Sequence, residues 1–304
     1  MRSRLRRRAV FCAVTVVVTS ALACGSRTDL DFDFSSMQDD AASPHDDGAP
    51  MVDAITPPPT IDATPPNDAS VCPKNGTTAF MLSDDARLFT LDPPTLTTHL
   101  LGTLDCSTSA HPWSLTASSS GAVYVIYDDW NIHEIDPKTL ACHTTPYAPD
   151  QLGLSQGETG ITIAPTPSGE RLYVYGQDRF NNSELDVGDL TTFVLSNVGT
   201  VTPPPVASSH PLDIRADAFG RIFGFGPDST LVQIDRDTAA LVAQVQTSFA
   251  PMGGASWALL TWNADLYLFS EGDVGRYDLA TQIVTRIGNV GVTVVGASAA
   301  PCIH

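Results

Sequence analysis

The chain has 304 residues, 42% of them hydrophobic, and 16 Lys+Arg against 34 Asp+Glu, for a formal net charge of −18. A surface of that sign repels a phosphate backbone and gains nothing from anionic headgroups, which excludes nucleic acid as a partner and leaves membrane attachment to a lipid. The six cysteines show no Cys-x-x-Cys or similar close pair of the kind that makes a zinc site.

The first element is a leader. Arg2, Arg4, Arg6, Arg7 and Arg8 precede a 15-residue apolar run, AVFCAVTVVVTSALA, that ends at Cys24. A membrane span needs about 20 apolar residues, so residues 1–23 read as a cleaved signal peptide. Losing its five arginines takes the formal charge from −18 to −23. The ending ALAC, followed by Gly25 and Ser26, resembles the lipobox of bacterial lipoproteins. That resemblance implies that Cys24 becomes a diacylated N-terminus and that the membrane is a partner through this anchor. It also implies an exported protein of the cell envelope, held at the outer membrane. Ala21 stands where Leu is usual, with Leu22 one place later; ordinary secretory cleavage after Ala-x-Ala is the alternative. RRRAVF also fits a twin-arginine export signal, so the export route stays open.

Residues 24–71 form the next segment. It carries ten aspartates, one arginine and many Pro, Ala, Ser and Thr. Too little apolar surface is present to offset the entropy of ordering, so the segment reads as a disordered linker, stiffest where proline is densest. A solvated, self-repelling spacer explains the aspartates better than a calcium site does.

From Cys72 onward, short alternating or wholly apolar runs recur between Gly, Asp, Asn and Pro turns, with no helical period. This predicts an all-β domain over residues 72–304. Three elements repeat. LDPPTL, IDPKTL, LDVGDL, IDRDTA and YDLATQ carry Asp92, Asp136, Asp186, Asp235 and Asp278, at spacings of 43–50 residues. Upstream, AFML, VYVI, LYVY, IFGF and LYLF align Phe80, Tyr124, Tyr173, Phe223 and Tyr267. WSLTASSSG, ITIAPTPSG, LDIRADAFG and WALLTWNAD precede those in the later repeats. Each unit reads as strands A, B and C, an Asp-x-x-Thr turn, then strand D. Four strands in about 45 residues is the spacing of a propeller blade.

The first unit lacks strand A, and VTVVGASAAP (292–301) is a strand A without a unit. The expected fold is therefore a five-bladed β-propeller of four-stranded antiparallel blades, closed by the C-terminal strand. Closure predicts a Cys72–Cys302 disulfide. Cys106 and Cys142, near strand D of consecutive blades, predict a second, each worth roughly 3–5 kcal/mol in the chain-entropy model. PWSLTASSSGAVYVIYDD and ITIAPTPSGERLYVYGQD resemble the repeats of NHL-like and related bacterial propellers. That group includes enzymes and pure binding scaffolds, so the resemblance implies a fold and no function.

Five copies of the Asp turn suit a structural device. The opposite face, where B–C turns and D–A connections meet around the channel mouth, is the candidate ligand face. Its turns hold Asp84, Asp85, Asp128, Asp129, Asp178, Asp228, Glu271 and Asp273, with Trp130, Arg179 and Phe180 at hairpin tips. Asp and Gly also form hairpin tips everywhere, which is the plain reading of any one of them. His111 and His210 precede strand A of blades two and four and suit a metal with a neighbouring acid. Thr159 and Gly253 at the other equivalent positions leave that ligand ring incomplete, so neither metal nor cofactor is expected. Propeller glycosidases draw carboxylates from several inner strands; only LDIRADAFG offers them here, as Asp213 and Asp217. The favoured function is a binding or scaffold module for a protein or glycan, with no catalytic residue assigned. The alternative is a hydrolase or lyase at the channel mouth using His111, His210 and Asp213.

Overall fold

The computed structural model describes residues 60–62, 78–151, 159–178, 182–202, 212–249 and 256–300. The predicted linker and leader, with Cys24, Cys72, Cys302, Arg179 and His210, otherwise lie outside these residues. Among the described residues there are twenty strands, β1 to β20, and no α-helix.

Blade one comprises β1 (Ala79–Ser83), β2 (Arg87–Asp92) and β3 (Thr97–Thr103). Blade two is β4 (Pro112–Ala117), β5 (Val123–Tyr127), β6 (Ile132–Ile135) and β7 (Cys142–Thr144). Blade three is β8 (Gly160–Thr166), β9 (Gly169–Gln177), β10 (Ser183–Gly188) and β11 (Leu195–Thr200). Blade four is β12 (Asp213–Ala216), β13 (Ile222–Phe225), β14 (Thr230–Ile234) and β15 (Leu241–Gln246). Blade five is β16 (Trp257–Trp262), β17 (Asp265–Ser270), β18 (Asp273–Asp278) and β19 (Ile283–Asn289).

The last strand, β20 (Val294–Ala299), pairs antiparallel with β1 and gives blade one the order β20-β1-β2-β3. The protein is thus a five-bladed β-propeller whose ring is closed by its C-terminal strand. Blade one is built from both ends of the domain, which is why its first repeat lacks a strand A.

Packing between blades accounts for the strand composition. β1 and β5 are buried at all five positions because each blade is covered on both faces, and a doubly covered strand has no polar side. Five apolar clusters lie one at each blade interface. The repeated aromatics hold one register throughout: Phe80, Tyr124, Tyr173, Phe223 and Tyr267 pair with Ser298, Thr116, Thr162, Arg215 and Leu260 of the inner strands.

The Asp turns are the C–D connections, and one of them differs from the sequence reading. Asp136 accepts from Lys138 N (2.9 Å) and Thr139 Oγ1 (2.9 Å), and Asp235 and Asp278 bind the same way. In blade three that role falls to Asp189, which accepts from Thr191 N (2.8 Å) and Thr192 N (3.1 Å). Asp186, assigned to the turn from sequence, lies three residues earlier inside β10 and is buried. Backbone N–H donors hold the carboxyls of Asp136, Asp189 and Asp278 below the usual range.

The residue four places after each turn aspartate adopts a left-handed backbone: Leu96, Leu140, Phe193, Ala239 and Gln282, with φ of 53–59°. Four of these five side chains are apolar and join the cluster against the preceding blade. Leu140 sits over Gly102 of β3, and Leu96 over Gly288 of β19, where a Cβ would collide with them.

Candidate functional site

The B–C turns and the D–A connections share one face. Asp84 N donates to Thr293 O (3.1 Å), Asp128 N to His111 O (2.9 Å) and Glu271 N to Ser256 O (3.0 Å). The candidate residues there are engaged in local bonds. Asp128 Oδ1 accepts from His111 N (3.0 Å), leaving the His111 ring exposed. Asp129 accepts from Asn131 N (3.1 Å) and Thr108 Oγ1 (3.2 Å). Asp178 accepts from Asn182 N (2.8 Å) and Nδ2 (3.0 Å). The bonds from Asn131 and Asn182 close their hairpins, those from Thr108 and His111 tie the D–A connection to the B–C turn, and together they fix where each carboxylate points.

Trp130 is the unusual member. It is half-buried rather than an exposed tip, and its backbone is left-handed at φ 59° with its N–H bonded to Tyr127 O (2.9 Å). Ala86 and Ser229 occupy the same step of their own B–C turns. Glycine is the favoured residue there, and a bulky side chain costs about 1–2 kcal/mol.

The channel axis is filled. Arg215 is 1% exposed and its Nη1 lies 2.9 Å from Asp213 Oδ1. It donates to the carbonyls of Ala297 in blade one and Ile161 in blade three (2.8 Å to the latter), and stands 3.4 Å from Ser114 Oγ in blade two. Asp213 in turn accepts from Ser114 Oγ (2.8 Å) and from Leu259 N of blade five (2.8 Å). One ion pair therefore touches all five blades. Burial pushes the Asp213 carboxyl up to about 6, against the pull of Arg215 and of both donors. Asp213 is buried, with both of its oxygens bonded to the described residues. Asp217 is occupied too, in an ion pair with Arg221 at 2.7 Å.

Hydroxyls complete the hub. Ala117 N donates to Ser298 Oγ (3.2 Å), Ile163 N to Thr116 Oγ1 (2.9 Å) and Ala216 N to Thr162 Oγ1 (2.8 Å). Each joins an inner strand to the next blade's inner strand. Ser298, Thr116 and Thr162 of the inner strands are inter-blade acceptors, while Ser114 and Thr261 donate, to Asp213 Oδ1 and Ala216 O.

Cys106 and Cys142 form the disulfide predicted from their positions, joining blades one and two with Cα atoms 5.2 Å apart. Buried His133 brings a ring nitrogen within 4.8 Å of both sulfurs. Bonded to each other, those sulfurs are not the thiolates a metal needs. Tyr127 Oη donates to Cys106 Sγ (3.2 Å). Burial lowers the His133 pKa, with Asp129 pulling the other way.

Asp186 is a residue whose role the sequence did not reveal. Its Oδ1 accepts from Asn197 Nδ2 (2.8 Å), while Oδ2 is buried without a partner. Burial pushes its carboxyl up to about 6, helped by Glu184 and opposed by Asn197.

No protein-family model matches the chain. No curated protein matches it. Among solved structures it is similar to a protein of unknown function from Bacteroides caccae (14% identity over 70% of this chain and 73% of that one, TM-score 0.39). It is also similar to TolB from Acinetobacter baumannii (13%, 70% and 53%, TM-score 0.42), spanning about half of that chain. A chain of the mitotic checkpoint complex is a third (12%, 72% and 62%, TM-score 0.40). All three likenesses are of fold alone.

Proposed function

We propose that this protein is a lipid-anchored cell-envelope protein, held at the outer membrane through Cys24, that presents its propeller as a binding module. On this reading residues 1–23 are the signal peptide, 24–71 the linker and 72–304 the propeller, of NHL-like type. The ligand is a protein or a glycan, and it meets the B–C/D–A face.

The observation that carries the reading is Trp130. Trp130 places a half-buried aromatic side chain on a B–C turn, next to carboxylates fixed at Asp128 and Asp129. An aromatic side chain on a loop carried by a rigid ring suits the anchoring of a protein or glycan ligand. The filled axis supports a surface over a channel, and the Cys106–Cys142 disulfide suits an oxidising compartment.

The test places a photo-crosslinking amino acid at Trp130, and separately at Val194, 65% exposed just ahead of β11, on intact cells. A discrete adduct from the first position and none from the second is expected. Equal labelling from both overturns the assignment of the face. Mass analysis of the mature N-terminus tests the anchor: diacylglycerol on Cys24 is expected, and a plain cleaved terminus overturns it.

A further inference from the structure

Ile61 belongs to a stretch, TPPPTIDATPP, that reads as linker, yet it is 1% exposed. It lies in the cluster between blades four and five, with Phe223, Leu231 and Ala243 on one side and Leu266, Tyr277 and Leu279 on the other. The backbone around it is held from both blades. Asp62 N donates to Gln233 Oε1 (2.9 Å), Arg221 Nη1 to Asp62 O (2.7 Å) and Gln282 Nε2 to Ile61 O (3.3 Å).

The other interfaces explain why something is needed there. At four of them the left-handed residue of the C–D turn wedges an apolar side chain against the preceding blade: Leu96, Leu140, Phe193 and Ala239. At the fifth, between blades four and five, that residue is Gln282. A polar amide cannot fill an apolar gap without burying its own donors unpaired. Gln282 instead turns its amide to the Ile61 carbonyl.

We infer that Ile61 is the missing wedge of the blade four–five interface, and that Thr60–Asp62 is a strap docked in a slot that takes Ile61 by its side chain and Asp62 by its backbone. The slot is on the C–D turn face. A cavity of about 190 Å³ continues beside it, lined by Arg221, Gln233 and Arg236 among others.

The test uses the full chain and a protease that cuts on the N-terminal side of aspartate, with the Ile61–Asp62 bond followed by mass spectrometry. Cleavage of an openable segment tracks the population of its open state. Ile61→Ser is expected to speed this cut on the order of 10–100-fold, the loss that follows from exposing one buried isoleucine. Adding Gln282→Leu to that variant should leave the cut fast while restoring the propeller's unfolding midpoint, because leucine supplies the wedge that the other blades use. Equal cutting of the parent and Ile61→Ser overturns the docking. Docking without recovery by Gln282→Leu overturns the wedge. Neither failure touches the crosslinking result at Trp130, so the two readings fail separately.

Discussion

Replacing Arg215 with methionine keeps an apolar stem at the ring axis and removes a charge and five donors. In the parent, that guanidinium lies 2.9 Å from Asp213 and donates to two carbonyls of other blades in a site closed to water. Two costs follow. Stranding the remaining charge of a buried pair costs about 3–5 kcal/mol. Each carbonyl left without its donor costs about 1 kcal/mol or more, partly offset by the packing of the methionine. The expected loss is about 4–6 kcal/mol, a large part of the 5–15 kcal/mol that a domain typically has. Its pH dependence identifies the cause. The Asp213 carboxyl already stands at about 6 through burial, and losing its cation raises it further. A carboxyl raised in the folded state contributes stability at acidic pH that is lost as pH rises through the folded value. The variant should therefore approach the parent at pH 5 and fall furthest behind at pH 8. Urea unfolding followed by tryptophan fluorescence at both pH values, with Arg215→Lys alongside, reads this directly. Lysine keeps the charge without the fork, so it should lose about half as much. A loss under about 1.5 kcal/mol for Arg215→Met at pH 8, or one independent of pH, refutes the argument.

The other predictions are simpler. Replacing Asp213 and Arg215 together by Ser and Thr, the pair blade two carries at Ser114 and Thr116, should cost less than Arg215→Thr alone; additive losses in a double-mutant cycle refute the coupling. Changing Cys106 and Cys142 to serine should cost about 4 kcal/mol in the chain-entropy model for the 36-residue separation, measured by urea unfolding. Asp186→Asn should match the parent near pH 4 and exceed it at pH 8 by about 1–2 kcal/mol, after allowing for screening of a partly wetted hairpin. The sign follows because the raised carboxyl at about 6 loses stability as pH climbs through that value. Asp189→Ala should lower the unfolding midpoint, because Asp189 and not Asp186 holds the turn.

What was legible followed from repetition. A strand covered on both sides must be apolar throughout, and a tight turn must have its acceptor, so five copies of each stood out in the sequence. The orphan strand at the C-terminus then dictated closure, and the position of Cys106 and Cys142 beside successive outer strands dictated their pairing. Asp186 shares the Leu-Asp pair of the other repeats, but the threonine at the fourth position and the wedge at the fifth, Thr192 and Phe193, mark Asp189 as the turn residue. Residues that act once were not legible. Ile61 is a lone isoleucine among prolines with no period to betray it. Its counterpart was visible only as Gln282 standing where the other repeats have an apolar residue.

The axis shows why an acid and a base two residues apart on strand A are architecture. Opposite each repeated aromatic stands the residue that faces the hub: Ser298, Thr116, Thr162, Arg215 and Leu260. The three hydroxyls accept an N–H from the next blade, so the ring reads as a chain of acceptors. An arginine cannot continue that chain, because a guanidinium has donors only. Its donors go to carbonyls of blades one and three, and the missing acceptor is supplied two residues earlier, where Asp213 takes the Leu259 N–H of blade five. Asp213 is thus required by Arg215 twice over, as counter-charge and as substitute acceptor. The same two demands occupy it fully: both of its oxygens are bonded and the pair is buried.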